Sequence, residues 1–400
     1  MNQTNNNASD IPTRPSLTPA AQSPAHRSPL QPSLKVLGLG GGGGNAVNRM
    51  IELGLQGVEF IVANTDRQVL EQNLAPNKIL LGPKTTRGLG AGGNPAVGHA
   101  AAEESRKDLA AALEGADMVF LTAGMGGGTG TGSISVAAEI ARSLGAVTIA
   151  VVSMPFSFEM GRRQQNARTG LRCLRPHTDT LISIPNDRLL TVQNGNLTLD
   201  LAFRLADDIL RQGVQGIAEL ASHPGTINVD FANIRHLMKL GGGALMAIGQ
   251  GRGDGKALQA IHQAIHHPLL DIGSIENAAG LLVNFTSGDD LTLFEVEAAL
   301  TELQNQAGGQ AEIVFGVVND PQMQDRLEAI LVVTGLGAPT LEEAFGQAPA
   351  QAFQSAPPRP NAQTIQTSSP LETVSVEAGL TMPVPVSKNL DIPAFMRRTR

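Results

Sequence analysis

The chain of 400 residues has a single cysteine, no tryptophan and no tyrosine. Cys173 alone cannot form an intramolecular disulfide, so nothing in the sequence requires an oxidising compartment. No apolar run approaches the ~20 residues that span a bilayer, and the polar segment 1–10 lacks the apolar core of a signal peptide. These absences predict a soluble, cytoplasmic protein without direct membrane insertion.

The charge balance also lacks the basic excess of a general nucleic-acid-binding surface. The formal net charge is −7, with 29 Lys and Arg against 36 Asp and Glu. Because a protein must neutralise phosphates with a basic face to bind nucleic acid, we expect no direct nucleic-acid partner. His262 and His266 have helical spacing, but no third ligand and no H-E-x-x-H pattern accompany them, so we predict no metal site made by the protein.

Glycine is abundant instead, and many of the 45 glycines cluster in three loops. Loop 38–44 follows an apolar run at 34–39, loop 88–95 precedes a helical pattern at 96–109, and loop 126–132 joins an apolar run at 118–123 to a helical pattern at 134–144. Residues without a Cβ at a strand-to-helix turn let backbone N–H groups converge on an anion. The hydroxyls of Thr129 and Thr131 can add donors, so the loops predict a polyphosphate ligand.

The first glycine loop leaves an alternative open. Gly38, Gly40 and Gly43 satisfy G-x-G-x-x-G, and Asp66 follows about 20 residues later, as in dinucleotide-dependent oxidoreductases. A run so rich in glycine would match almost any glycine template, however, and no G-x-x-x-x-G-K-[ST] motif of a P-loop nucleotidase occurs. Three loops at successive strand ends suit one long anion, which favours a triphosphate.

A helical stripe at 201–221 is long enough to cross a domain, and it begins with two candidate site residues. Phe203 and Asp207 are four residues apart and therefore share a face. A core phenylalanine beside a surface aspartate is the commoner arrangement. In the functional interpretation, Phe203 stacks on a purine and Asp207 accepts hydrogen bonds from guanine N1–H and N2–H₂. Adenine would leave the carboxylate unpaired, so this pair would select GTP over ATP.

The glycine loops, in this order and spacing, resemble the tubulin/FtsZ family of polymerising GTPases, and within it the bacterial FtsZ proteins. The likeness continues through segments 155–159, 184–187 and 228–232, covers about 34–338, and reappears in the last dozen residues. It implies an α/β fold with a Rossmann-like GTP-binding domain (34–199), a central helix (200–222) and a second α/β domain (223–338). Composition predicts a disordered arm (1–33) and a disordered linker (339–388) before a C-terminal peptide (389–400).

The resemblance also implies which residues bind GTP or GDP, with Mg²⁺ accompanying the nucleotide. Spacing alone favours an ion pair on a helix surface between Glu159 and Arg163, whereas the family uses the matching residues on the ribose and the phosphates. Met160 stands where the family usually has glycine. The full nucleotide set is Gly41, Gly42, Gly43, Gly44, Asn45, Ala91, Gly92, Gly93, Gly127, Gly128, Thr129, Gly130, Thr131, Glu159, Arg163, Asn186, Phe203 and Asp207.

The segment 228–233 matches the family's catalytic loop with one departure. In this family the loop of one subunit meets the nucleotide of the next, so hydrolysis requires a filament. The family pattern N-x-D-F-A-D keeps Asn228 and Asp230 here, but Asn233 replaces the second aspartate. An amide orients water without accepting a proton, and general-base contributions are typically ~10²- to 10⁴-fold. Two alternatives follow: weak hydrolysis, as in a structural paralogue, or hydrolysis carried by Asp230.

Head-to-tail contact between two different surfaces gives an open filament, so the expected first partner is the protein itself. The last residues of the chain are expected to bind a second kind of partner. An apolar cluster flanked by charges resembles the family's C-terminal peptide, which docks onto membrane-adaptor proteins of cell division. Its residues are Asp391, Ile392, Pro393, Ala394, Phe395 and Arg397. The expected location is the division site, near the inner face of the cell membrane.

Overall fold

The computed structural model describes residues 32–159, 161–192, 198–222, 225–241, 243–269, 275–276 and 278–335. In these ranges the strands are β1 (Leu34–Leu39), β2 (Val58–Asn64), β3 (Asn77–Leu80), β4 (Met118–Gly124), β5 (Val147–Met154), β6 (Thr180–Pro185), β7 (Ala244–Arg252), β8 (Gly280–Ser287), β9 (Glu312–Asn319) and β10 (Arg326–Thr334). The helices are α1 (Gly40–Glu52), α2 (Arg67–Gln72), α3 (Pro95–Glu104), α4 (Arg106–Leu113), α5 (Thr129–Ser143), α6 (Arg162–Leu174), α7 (Asn186–Val192), α8 (Leu199–Ser222), α9 (Phe231–Lys239), α10 (Lys256–Ile265) and α11 (Leu293–Gln306).

Some sequence predictions concern residues outside these ranges. They are most of the N-terminal arm, the position of Met160, the linker, and the whole C-terminal peptide including Asp391–Arg397. Those predictions stay as stated.

The first six strands form a parallel sheet in the order β3-β2-β1-β4-β5-β6. β1 pairs with β2 on one side and with β4 on the other, so that Leu34 lies beside both Val58 and Met118. All six residues of β1 are buried, because helices cover both faces of the sheet. The strand order reverses between β1 and β4, and at such a switch point the loops beyond the carboxyl ends diverge and open a crevice. The first and third glycine loops leave from these two strands.

Two apolar cores lie against this parallel sheet. One core includes side chains of α1, α8 and α9, and the other includes side chains of α3, α4, α5 and α6. The central helix α8 buries Leu210, Val214 and Ile217 completely, as expected for an apolar stripe at helical period. Because α8 also contacts β8, β9 and β10, it packs on both halves of the sheet.

The second half continues the same sheet in the order β6-β7-β10-β8-β9. Among the described residues, β6 and β7 continue the sheet through the pair Ile182 and Ala244. Strand β10 is antiparallel to both β7 and β8, and a third core packs α10 and α11 against these strands. A capping box starts α11, because Thr292 and Glu295 each accept the other's backbone N–H. The predicted α/β fold class is thereby confirmed.

Candidate nucleotide site

The three glycine loops interlock at the carboxyl edge of the parallel sheet. A Cβ on Gly43 would lie 2.3 Å from the carbonyl oxygen of Thr122, and one on Gly128 would lie 2.8 Å from both the Ala91 Cβ and the Asn94 nitrogen. Distances below 3.0 Å are not compatible with a real side chain, so glycine is required for these backbones to approach. The loops predicted separately from the sequence therefore form one structure.

The other side of this structure is open. A Cβ built on Gly41, Gly92, Gly93 or Gly127 meets no atom within 4 Å. Gly42 and Gly130 lie instead against Gly124, within the interlocked part. Gly44 and Asn45, together with Gly40, line a cavity of about 170 Å³ between α1, β2 and α2. The open face presents backbone rather than side chains, which is the surface that a polyphosphate needs.

The third loop leads directly into α5 without a side-chain cap. Gly128 is the N-cap residue and offers no side-chain acceptor, so the first-turn N–H groups of α5 remain available to an anion. Thr131 is fully buried, and its hydroxyl oxygen accepts the N–H of Gly126 at 2.8 Å. Thr129 and Thr65 share a hydrogen bond of 2.6 Å between their hydroxyl groups. In this conformation the hydroxyl groups of both threonines stabilise loop 126–132 by these hydrogen bonds.

The start of α8 places an aromatic ring beside two hydrogen-bond acceptors. Phe203 packs edge to face on the buried Phe156 at 5.5 Å between ring centroids and remains 40% exposed. Burial raises the pKa of Asp207 to about 7, because desolvation disfavours the charged carboxylate. Asn186 begins α7, which contacts α8. Asn186 is 5% exposed, and among the described residues its Oδ1 has no hydrogen-bond partner.

Glu159 and Arg163 form an ion pair, although no helix spans both residues. Glu159 ends a short 3₁₀ segment, Ser157–Glu159, and α6 begins only at Arg162. The Glu159 carboxylate also accepts the N–H of Phe156 at 2.9 Å. The Glu159 side chain is 9% exposed, whereas that of Arg163 is 56% exposed. Gly126 of the third loop packs against the backbone of Arg163. The pair therefore borders loop 126–132 with its cation towards solvent.

The catalytic-loop candidates lie beyond the other end of α8. Asn228 accepts the N–H of Gly225 at 2.6 Å, and Asp230 caps α9 by accepting the N–H of Ala232 at 2.9 Å. Both residues are exposed, as is Asn233. From Asp207 the helix runs on to Ser222, which is about 22 Å at the rise of an α-helix. The structure therefore brings the nucleotide candidates together but leaves the catalytic candidates apart from them.

Two further residues of the site were not identified from the sequence. Thr65, at the carboxyl end of β2, supports Thr129 and accepts the N–H of Gly90 on its carbonyl oxygen at 3.0 Å. Asn166 on α6 donates to the carbonyl oxygens of Gly93 and Gly126. Thr65 could have been identified from the sequence, because it directly follows a buried strand and so lies at the same edge of the sheet as the glycine loops. Asn166 stands in a polar helix, and nothing in the sequence distinguishes it.

The described residues contain no three-member cluster of His, Cys, Asp and Glu suited to a metal ion. They also contain no helix long and apolar enough to cross a membrane.

The fold and the loops define the class as a nucleotide-binding α/β protein. The model of the GTPase domain of the tubulin/FtsZ family matches residues 33–194, and that of the C-terminal domain of the FtsZ family matches residues 242–337. The chain belongs to the tubulin/FtsZ family.

Solved structures support this assignment. A structure described as an empty FtsZ dimer from M. jannaschii is 42% identical, with a TM-score of 0.74, covering 76% of this chain and 89% of the other. CetZ2 from Haloferax volcanii, described as a GTPgS-bound protofilament, is 19% identical with a TM-score of 0.65, covering 75% and 92%. CetZ1 from the same organism, described as a GDP-bound monomer, is 20% identical with the same TM-score, covering 75% and 93%. The CetZ matches show the fold alone.

Proposed function

We propose that this chain is a GTP-dependent polymerising protein of cell division. Its subunits add head to tail, and GTP held at the carboxyl edge of one subunit is hydrolysed where loop 228–233 of the next subunit meets it. The filament lies on the cytoplasmic side of the division site, where the C-terminal peptide docks onto membrane-adaptor proteins. Mg²⁺ accompanies the nucleotide.

The observation that carries the proposal is the separation of the two candidate sets along α8. Asp207 lies in the first half of the helix and Asp230 follows its other end, so a single subunit does not supply both to one nucleotide. A second copy added head to tail would supply the missing set, and a contact between two different surfaces repeats without closing. The dimer described for the FtsZ from M. jannaschii supports self-association.

The glycine loops, Asn186 and the start of α8 with Phe203 and Asp207 are here called the nucleotide end. Several features of this end support GTP as its ligand. The open face of Gly92, Gly93 and Gly127 and the uncapped start of α5 suit the phosphates. Guanine offers two adjacent donors, N1–H and N2–H₂, to the carboxylate of Asp207, and the unpartnered Oδ1 of Asn186 is a further acceptor for a base donor. Adenine presents an acceptor at N1 and would leave the half-buried carboxylate of Asp207 unpaired. Phe203 offers an exposed ring face for stacking.

At the other end, Asp230 is the residue able to act on water. One of its carboxylate oxygens caps α9, and the second remains to hold and polarise a water molecule that attacks the terminal phosphate. Asn228 fixes the loop by its bond to the Gly225 backbone, and Asn233 can orient the water but cannot take its proton. Slow hydrolysis is therefore the expected consequence of Asn233. The alternative is a structural paralogue that binds GTP and assembles with little or no turnover.

The first test is light scattering with parallel phosphate release, after adding GTP, ATP or no nucleotide to the protein with Mg²⁺. Scattering with GTP alone, followed by phosphate release, is expected. Persistent scattering with little phosphate would favour the structural paralogue. If calorimetry showed binding of NAD rather than GTP, the alternative of a dinucleotide-dependent oxidoreductase would be favoured instead.

The second test separates the two ends of α8 by mixing variants. Asp207→Ala impairs the nucleotide end and leaves loop 228–233 intact, whereas Asp230→Ala does the reverse. Each variant alone should release little phosphate. An equimolar mixture should regain a measurable rate, because some contacts then combine an intact nucleotide end with an intact loop. A mixture no faster than the two variants measured separately would contradict hydrolysis at a subunit contact.

A further inference from the structure

One side chain outside the glycine loops contacts two of them at once. Asn166, half-buried in the second turn of α6, donates its Nδ2 hydrogens to the carbonyl oxygen of Gly93 at 3.2 Å and to that of Gly126 at 3.1 Å. A carbonyl oxygen only accepts, so both partners require the amide nitrogen, and the orientation of the side chain is determined. The amide therefore bridges loop 88–95 and loop 126–132.

Both bridged glycines have backbone conformations that the bond can hold in place. Gly93 has φ +70° and Gly126 has φ +100°, in the region that glycine adopts most readily. A left-handed residue turns successive peptides, so that N–H groups can line one side of a loop. Asn166 binds two carbonyl oxygens of these loops, while the Cβ positions of Gly93 and Gly127 face open space.

The direction of those carbonyl groups matters for an anionic ligand. A carbonyl oxygen carries partial negative charge and would repel a phosphate, whereas a backbone N–H attracts it. The peptide that follows Gly93 is also held by the hydrogen bond from the Asn94 N–H to the Ala91 carbonyl oxygen at 3.0 Å, so the bond from Asn166 matters most at Gly126. A donor that binds the Gly126 oxygen keeps it from turning towards the ligand. Such preorganisation raises affinity because less ordering remains to be done on binding.

We propose that Asn166 is a positioning residue for the phosphates of the bound nucleotide, an inference that rests on the proposed GTP site. It acts through the two loops and touches no substrate atom itself. It is not required to hold the loops together, because Gly128 packs against Ala91 and Asn94 without it. Loss of Asn166 should therefore affect phosphate binding more than folding.

The test compares GTP, GDP and guanosine, each titrated by calorimetry against the full-length protein and its variants. Asn166→Ala should weaken GTP and GDP binding about 10-fold, the effect of one or two lost hydrogen bonds. Asn166→Asp, which replaces the donor by an anionic acceptor, should weaken them further. Asn166→Ser keeps one donor and should fall between Asn166→Ala and the unaltered protein. Guanosine has no phosphate, and its affinity should stay within about twofold in all three variants.

Matched controls use the exposed neighbour Gln165. Gln165→Ala and Gln165→Glu repeat the truncation and the charge change one residue away, and both should leave GTP affinity within about twofold. Thermal melting of each empty variant checks the fold. If the unaltered protein binds no GTP, the proposed function fails and the inference fails with it. If it binds GTP but Asn166→Ala loses guanosine affinity equally, or loses nothing, the inference alone is overturned.

Discussion

The two ends of α8 differ in how completely they are formed within one subunit. At the nucleotide end, backbone packs on backbone between three loops, Asn186 is buried and Asp207 is half-buried. At the other end, Asn228, Asp230 and Asn233 are exposed, and the first two bind their own backbone. This difference agrees with the proposal that one end binds the nucleotide of its own subunit and that the exposed loop acts on the nucleotide of a neighbour.

The largest expected effect concerns the close packing of the nucleotide end. A Cβ on Gly132 would lie 2.1 Å from the Pro95 carbonyl oxygen and 2.6 Å from the His99 nitrogen, both backbone atoms. Gly132→Ala should therefore lower the free energy of unfolding by about 3 kcal/mol, measured by urea denaturation. Gly41→Ala is the matched control, because its Cβ meets nothing within 4 Å. Stability should be unchanged there while GTP affinity falls. Equal losses of stability in both variants would contradict the distinction between a packed and an open side.

The next effect concerns the exposed loop. Asn233→Asp restores the family's second carboxylate and should raise the rate of GTP-dependent phosphate release about 10²-fold, the lower end of general-base contributions. The fold should not change, since Asn233 is exposed. Asn305→Asp, at the exposed end of α11, makes the same charge change elsewhere and should leave the rate unaltered. A rate for Asn233→Asp equal to that of the unaltered protein would assign the chemistry to Asp230 alone.

A pH dependence should distinguish the buried end from the exposed one. In the proposed site, guanine binds the ionised carboxylate of Asp207, whose pKa is raised to about 7 by burial. Calorimetric GTP affinity should therefore fall about 10-fold between pH 8 and pH 6 as the carboxylate is protonated. Asp207→Asn should bind GTP weakly with a much flatter profile, which also corrects for titration of the phosphates. If GTP affinity changed with pH by a similar amount in both proteins, Asp207 would not be the group that binds the guanine base.

The same pKa shift predicts the pH dependence of stability in the empty protein. The carboxylate ionises near pH 4 when unfolded but only near pH 7 when folded, so its charge increasingly opposes folding between these values. The stabilising protonated form is thus lost as pH rises. Asp207→Asn should be more stable than the unaltered protein by about 1–3 kcal/mol at pH 8, with the difference vanishing towards pH 4. A constant difference across this range would contradict the linkage.

The smallest effect separates the two roles of Asp230. Asp230→Ala removes the N-cap of α9 and should cost about 1 kcal/mol of stability, measured by thermal or urea unfolding. Asp230→Asn keeps an equally good cap and should preserve stability, yet it should lower phosphate release because the amide cannot accept a proton. If both variants retained the full hydrolysis rate, Asp230 would have no part in the chemistry.

Parts of the fold that follow from local patterns were predictable. The long amphipathic helix and the buried strands at 34–39 and 118–123 appear where the sequence places them. Strand β7 was not identified, because it contains Gly249 and Gly251, which disfavour a strand. Tertiary packing requires glycine at both positions. A Cβ on Gly249 would lie 1.8 Å from the carbonyl oxygen of Ala260, and one on Gly251 would lie 1.9 Å from that of Lys256. The predicted helix 96–109 is likewise divided at Ser105, whose hydroxyl accepts the N–H of Gly82.

The sequence by itself determined the α/β class, the three glycine loops and the family, because residue type and spacing encode backbone freedom and the burial of each element. Only the tertiary structure decided how these parts act together. It interlocked the loops, desolvated Asp207, left the Asn186 oxygen without a partner among the described residues and placed Asn166 across two loops. It also put loop 228–233 at the far end of α8. Such properties depend on distances between residues remote in sequence, which composition and local periodicity do not contain.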